Sequence, residues 1–382
     1  MSGIYIHIPF CRRKCIYCAF YSVALLSRKQ DYLDALRYEI EQTLNYLPSR
    51  NINTVYLGGG TPTLLSINEI EGILTKIRRH YTLKPDGEFT IEANPEQLHK
   101  TYLKDLLSLG INRISIGVQS FNDETLRFLG RKHNAEEAEA AVHLAAAAGF
   151  DNISIDMIYG ISQRQTGEWE ADLQKACSLP IQHLSCYALT KEENTMLWRK
   201  IHRHELPDMD EDLANQEFHQ LLQCCRENGF EQYEISNFAR NGKVSRHNSA
   251  YWTGEPYLGL GPSAHSFDRK SRKWNVSDLS QYIDDIATGH FSGDSETLSL
   301  DDQYNECVML GLRTAKGINL AQITELYGEK YRLQAETQLR QVNPEHYRRK
   351  EDCIILTDEG EFFADGIAEA LFVSSLLTAR HT

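Results

Sequence analysis

The chain has 382 residues, 41% hydrophobic and 24% charged, with nine cysteines and a formal net charge of −13. That length suits two or three domains, or one large α/β domain with an appendage, and the composition excludes wholesale disorder. The acidic balance argues against a protein whose main task is gripping a phosphate backbone, a grip that rests on Lys and Arg.

Met1-Ser2-Gly3 runs straight into the alternating segment Ile4-Tyr5-Ile6-His7-Ile8, without the basic start, apolar run or cleavage site of a secretory signal. With an odd number of cysteines, this start predicts a cytoplasmic protein whose thiols are free or metal-bound. Strands are predicted at 4–8, 54–57, 88–92, 113–117, 152–158 and 183–188, and helices between them at 31–46, 66–80, 101–109, 135–148 and 166–179. Ser66-Ile67-Asn68-Glu69 reads as a capping box, and Gly110 and Gly149 stand where helices stop. This alternation implies right-handed βαβ crossovers and a parallel sheet, either doubly wound or a partial barrel; in both, chemistry sits at the C-terminal strand ends. The run 140–150 is alanine-rich, is interrupted by His143, and is far shorter than the roughly 20 residues a membrane span needs.

A further helix is predicted at 211–228, followed by an irregular stretch rich in Gly, Asn, Trp and Tyr and a polar linker at 289–299. Helices at 300–312, 320–327, 329–341 and 358–377 and a strand at 354–356 then suggest a small, mainly helical, winged-helix-like unit. The expected division is 1–233, 234–299 and 300–382.

One group of cysteines is spaced for a shared ligand. Cys11, Cys15 and Cys18 form C-x-x-x-C-x-x-C in the loop after the first strand. Zinc usually takes a fourth Cys or His at similar spacing, and none follows Cys18 closely. Three thiolates without a fourth suit a 4Fe–4S cluster with one open iron. The loop also carries Arg12, Arg13 and Lys14, which make a poor apolar core. The remaining cysteines, Cys177, Cys186, Cys224, Cys225, Cys307 and Cys353, fall on apolar faces and read as structural.

Tyr5-Ile6-His7-Ile8-Pro9-Phe10-Cys11…Cys15…Cys18, followed by Gly58-Gly59-Gly60-Thr61-Pro62, resembles the radical S-adenosylmethionine superfamily. Within it, the match is to the branch of oxygen-independent coproporphyrinogen oxidase and the HemW haem chaperones. Ile116-Gly117-Val118-Gln119-Ser120-Phe121, Asp156-Met157-Ile158-Tyr159-Gly160 and Leu356-Thr357-Asp358-Glu359-Gly360 extend the likeness over nearly the whole chain. The resemblance implies a partial (β/α)6 barrel of the TIM type with a small C-terminal domain. It implies a 4Fe–4S cluster on Cys11, Cys15 and Cys18, whose open iron is chelated by S-adenosylmethionine and whose electron cleaves a carbon–sulphur bond. Tyr5, Gly59 and Glu92 are then expected at that S-adenosylmethionine; Tyr17, Gly60, Thr61, Gln119, Arg131 and Asp156 are expected at a second nucleotide site. The duller alternatives are that Gln119 and Asp156 satisfy buried backbone groups and that Arg131 is a solvated charge.

Two departures separate the chain from the oxidase. Phe20 stands where the oxidase has a further cysteine, and Tyr5 follows Met1 too closely for the oxidase's long N-terminal extension. His247-Asn248-Ser249-Ala250-Tyr251-Trp252 resembles the H-N-x-x-Y-W motif of the haem chaperones and makes His247 a candidate haem ligand. The alternative is a histidine satisfied locally in a packed loop. The overall expectation is a haem chaperone that delivers haem to acceptor proteins, forms a cluster-dependent homodimer and binds no nucleic acid. An oxygen-independent coproporphyrinogen oxidase, or another radical enzyme, is the alternative. Phe372, Val373, Leu376 and Leu377 on the last helix offer a surface for a partner or a membrane, or close the small domain.

Overall fold

The computed structural model describes residues 2–289 and 293–373. Its first six strands are β1 (Gly3–Ile8), β2 (Asn51–Gly59), β3 (Thr82–Ala93), β4 (Arg113–Gln119), β5 (Ile153–Tyr159) and β6 (His183–Ala188). They pair in parallel, each beside the next in sequence. A doubly wound sheet reverses its strand order at a switch point; this one does not, which makes it a partial (β/α)6 barrel.

Helices Lys29–Gln42, Ile67–His80, Lys100–Ser108, Ala135–Ala148 and Glu168–Ser178 lie in the crossovers. Their starts follow local chemistry. The Glu69 backbone N–H donates to Ser66 Oγ at 3.4 Å, while the Glu69 carboxylate accepts the Ser66 N–H at 2.7 Å. Asn134 and Glu137 form a second box of the same kind. Each box satisfies two backbone donors that the helix start leaves orphaned.

Alternation along the strands separates core from lumen. Ile4, Ile6, Val55, Leu57, Ile91, Ile114, Ile116, Ile153, Ile155 and Leu184 are wholly buried in one apolar cluster with the helices. Their neighbours Tyr56, Glu92, Ser115, Asp156 and Ser185 line an internal cavity instead. A period of two puts adjacent residues on opposite faces, so the same six strands build both a dry outer layer and a polar interior.

The stretch expected to be irregular is in fact part of this sheet. β7 (Glu231–Glu234) and β8 (Asn237–Ala239) extend it from β6, and β9 (Tyr257–Leu260) pairs in parallel with β1. β10 (His265–Phe267), β11 (Ser271–Asn275) and β12 (Gly293–Thr297) continue outward from β9, so β12 occupies the expected linker. The expected boundary at 233–234 cuts the β7–β8 hairpin. These strands are three to five residues long, too short to display periodicity, and they join the barrel sheet through distant partners, β8 through β6 and β9 through β1.

Helices Leu300–Leu312, Leu320–Tyr327, Glu329–Leu339, Asp358–Phe362 and Ala364–Leu371 surround β13 (Ile318–Asn319), β14 (Tyr347–Lys350) and β15 (Cys353–Leu356). The three strands form a separate sheet in the order β13-β15-β14. This unit has its own core, including Tyr304, Val308, Tyr331, Ile354 and Leu371. The single helix expected at 358–377 is broken between Phe362 and Ala364; Leu376 and Leu377 lie outside the described residues. The unit docks on the barrel through Ile235 N–H to Arg313 O at 3.0 Å, Ala315 N–H to Tyr233 O at 3.1 Å, and a Gln232–Glu361 hydrogen bond of 2.6 Å. Among the described residues, no helix is long and apolar enough to cross a membrane.

Candidate functional site

The cysteine loop leaves the C-terminal end of β1 and is held by backbone hydrogen bonds on several sides. Gly60 N–H donates to Ile8 O at 2.8 Å, Cys11 N–H to Val23 O at 3.0 Å, and Ile16 N–H to Leu129 O at 3.2 Å. Arg12, Arg13 and Lys14 project into solvent. Cys11 Sγ lies 3.4 Å from Thr61 Oγ1, Cys15 Sγ accepts from Arg131 Nη1 at 3.6 Å, and Cys18 lines the cavity. Burial pushes the Cys18 thiol up to about 11, and the neighbouring sulphurs of Cys15 and Cys11 add to the effect. Among the described residues, no three His, Cys, Asp or Glu side chains are gathered to hold a single metal ion. All three loop donors are sulphur, the ligand type of iron–sulphur clusters, and Thr61 and Arg131 stand ready to hydrogen-bond thiolates. These residues fit a cluster.

Gly58, Gly59 and Gly60 close the end of β2 against that loop. A Cβ on Gly60 would lie 2.6 Å from Phe10 O and 2.8 Å from Ile8 O. Gly59 has a φ of +104°, and a Cβ there would meet the His7 ring at 2.6 Å. The glycines are therefore required by the chain's own close approach, before any ligand is considered. Gly59 N–H donates to Glu92 Oε2 at 3.0 Å, and Tyr56 Oη donates to Glu92 Oε1 at 2.8 Å. Burial nevertheless dominates and raises the Glu92 carboxyl from 4.5 to about 7, with Asp156 adding repulsion.

Arg131 and Gln119 meet over Gly117, where a Cβ would lie 3.2 Å from Arg131 Nη2 and 3.0 Å from Gln119 Nε2. Arg131 Nη2 donates to Asn94 Oδ1 and to Gly117 O, both at 2.6 Å. Arg131 is thus clamped inside the site, and the solvated-charge alternative does not hold. Gln119 has a φ of +71° at a β-bulge in β4. This left-handed conformation is costly for a residue with a Cβ and is concentrated at functional sites. Asp156 accepts from Ser115 Oγ at 3.0 Å, and its carboxyl is raised by burial against the opposing hydrogen bonds of Ser115 and Ser185.

A single cavity of about 2060 Å³ connects these groups and extends to the C-terminal unit. Tyr17, Cys18, Gly59, Gly60, Thr61, Glu92, Gln119, Arg131 and Asp156 all line it. Asn94, Tyr56, Ser115 and Ser185 join them without having been singled out from the sequence. Their signal was available: each is an inward position of a strand, or directly follows a strand end. Tyr5 and His247 are not among the lining residues. Tyr5 Oη lies 3.1 Å from His7 Nδ1, and its ring packs against Tyr56 and His247.

His247 sits toward the N-terminal strand ends, 2% exposed. Its Nδ1 is 2.8 Å from Thr54 Oγ1 and its Nε2 is 2.8 Å from Tyr251 Oη. Its backbone N–H donates to Glu88 at 2.9 Å, its ring stacks 5.0 Å from Tyr56, and burial drives its pKa down to about 3. Local satisfaction, the alternative open in the sequence, is the arrangement found. Among the presumed structural thiols, Cys177 and Cys224 lie 3.7 Å apart, sulphur to sulphur, a proximity invisible in the sequence.

Residues 5–176 match the Radical SAM superfamily. The chain is 36% identical over 335 residues to the Heme chaperone HemW of Bacillus subtilis, covering 86% of this chain and 87% of that protein. It is 33% identical over 374 residues to the Heme chaperone HemW of Mycobacterium tuberculosis H37Rv, covering 97% and 94%. The solved structure of coproporphyrinogen III oxidase (HemN) from Escherichia coli, a radical SAM enzyme, shares the fold: TM-score 0.84 over 97% of this chain and 90% of that one, at 24% identity. With likeness running through barrel and C-terminal unit alike, the chain belongs to the radical SAM superfamily and, within it, to the haem chaperone HemW family.

Proposed function

We propose that this protein is a haem chaperone: it binds haem, a 4Fe–4S cluster and S-adenosylmethionine, and delivers haem to acceptor proteins. The observation that carries this reading is the identity to haem chaperones along almost the entire chain. When bound, the cluster supplies an electron for carbon–sulphur cleavage in S-adenosylmethionine. Cys11, Cys15 and Cys18 hold it, with Arg131 and Thr61 facing two of the sulphurs. Glu92 receives the ammonium of S-adenosylmethionine; its hydrogen bond to the Gly59 backbone and the packing of Tyr5 on Tyr56, itself bonded to Glu92, support this role. Tyr17, Gly60, Thr61, Gln119, Arg131 and Asp156 surround room for a second nucleotide. His247 reaches a haem iron only by giving up its bonds to Thr54 and Tyr251. Action in the cytoplasm, homodimerisation through the loaded cluster and contact with a membrane surface belong to the same proposal.

The test is transfer. Protein loaded with one haem per chain is mixed with a haem-free globin, and the globin spectrum is followed. Transfer faster than from free haem in buffer supports the reading, and failure of the protein to retain haem on gel filtration counts against it. Titration of His247→Ala with haem tests that residue; an unchanged spectrum and stoichiometry removes it from the haem site. The second reading, oxidation of coproporphyrinogen, is favoured by the fold shared with the oxidase. Phe20, 68% exposed in the place of the oxidase's further cysteine, opposes it. Protoporphyrinogen formed anaerobically above a cluster-free control would decide for the oxidase.

A further inference from the structure

The cavity has an inner wall of barrel residues and an outer wall supplied by the C-terminal unit, including Arg313, His346, Phe362 and Phe363. Among the described residues, His346 is the one histidine lining it. Its position is built by Leu356-Thr357-Asp358-Glu359-Gly360, a segment singled out in the sequence that the cluster and nucleotide sites leave without a role.

Thr357 N–H donates to His346 O at 3.0 Å, and Thr357 Oγ1 donates to Glu345 O at 2.7 Å. The same hydroxyl accepts Gly360 N–H at 3.2 Å and caps the helix Asp358–Phe362. Gly360 packs so tightly that a Cβ there would lie 1.8 Å from His346 O. The motif thus pins the short turn Pro344–His346 against the start of the helix and presents the imidazole at the cavity wall. The ring is half-buried and stacks on Phe363, centroids 4.9 Å apart and planes 13° from parallel. Its Nε2 has only a 3.5 Å contact with the Asn343 amide, and among the described residues Nδ1 has no hydrogen bond.

Haem binding draws on an accessible axial donor, most often an imidazole, apolar surface for the macrocycle and positive charge for the propionates. This wall offers His346, Phe363 at 48% exposure, and Arg313, whose Nη1 is ion-paired to Asp365 at 2.8 Å, so a propionate would share or displace that carboxylate; Phe20 and Tyr187, also exposed, line the cavity elsewhere. The volume of about 2060 Å³ exceeds the roughly 300–1,000 Å³ of a usual small-molecule pocket, leaving room for a macrocycle beside S-adenosylmethionine. We propose that His346 is an axial ligand to haem, offered from the C-terminal wall of the cavity and held there by Thr357 and Gly360. This assignment rests on the haem-chaperone reading and gives the C-terminal unit a binding role.

The experiment is a haemin titration of the full chain, comparing wild type with His346→Ala and His346→Gln by visible absorption. Both variants are expected to lose the imidazole-ligated spectrum and to bind at least about 10-fold more weakly. Free imidazole should restore that spectrum in His346→Ala, while cluster iron and S-adenosylmethionine binding stay at wild-type levels. Wild-type spectra and affinity in both variants overturn the assignment. Loss of the cluster together with haem in both also overturns it, because it marks collapse of the wall rather than loss of a ligand. A wild type that takes up no haem sinks the chaperone reading itself, and this assignment with it.

Discussion

Arg131 and Cys15 are joined by a charge-assisted contact of 3.6 Å that spans 116 positions of sequence. The same guanidinium reaches Asn94 beyond β3 and Gly117 in β4, so one side chain ties the cysteine loop to two strand ends. The loop is thereby part of the rigid barrel mouth, and cluster geometry depends on strand geometry.

Arg131→Met should leave the Asn94 and Gly117 acceptors unpaired within the site. A loss of about 1–3 kcal/mol per orphaned acceptor is expected, read as a lower denaturant midpoint of the barrel transition. Arg131→Lys should recover only part, because an ammonium cannot reproduce the planar fork that serves three acceptors.

Glu92 carries a pH signature. Its carboxyl is raised by burial from 4.5 to about 7, so the folded protein keeps a proton that the unfolded chain releases. Its contribution to stability is fully present below about pH 4.5 and is lost as pH climbs through about 7. Urea titrations across this range should show Glu92→Gln gaining on wild type as pH rises, by at most about 3 kcal/mol. Affinity for S-adenosylmethionine should rise through the same interval in wild type, as the carboxylate forms opposite the ligand ammonium. In Glu92→Gln the profile should be flat, and affinity at pH 8 lower by about 10-fold or more. A pH-independent wild-type affinity would remove Glu92 from that role.

Gly60→Ala sets a Cβ against two carbonyl oxygens, Ile8 O at the end of β1 and Phe10 O in the cluster loop, neither of which can rotate away. The loop must shift, and iron and sulphide content after reconstitution should fall to less than about half of wild type. Circular dichroism should remain close to wild type, since the clash lies at the mouth and not in the core.

Cys11→Ser, Cys15→Ser and Cys18→Ser should each abolish stable cluster loading, measured as iron per chain and visible absorption. Cys353→Ser should leave both unchanged, because Cys353 pairs with β13 and β14 in the separate C-terminal sheet. Full loading in any of the loop variants would refute the ligand assignment.

Much of the barrel was legible because its information is local. Ser66 and Glu69 satisfy each other's backbone within one turn, and the helix 135–148 has its predicted bounds. The strands 231–275 were illegible for the opposite reason. β9 is four residues long, and what makes it a strand is the register Gly3 to Tyr257 and Ile4 to Leu258, set by β1 at the other end of the chain.

The sequence by itself determined the alternation of strands and helices and the three thiols with their spacing. It also marked glycines at the second strand end and acids at two others, each a local property of residue type and period. Tertiary structure decided what those residues face. It turned Arg131 inward onto Cys15, set His247 against Thr54, and carried His346 to the cavity from the separate C-terminal unit. The reason is physical: a side chain's partners are set by strand order and domain docking, which bring together groups more than a hundred residues apart. No window along the chain contains both members of such a pair.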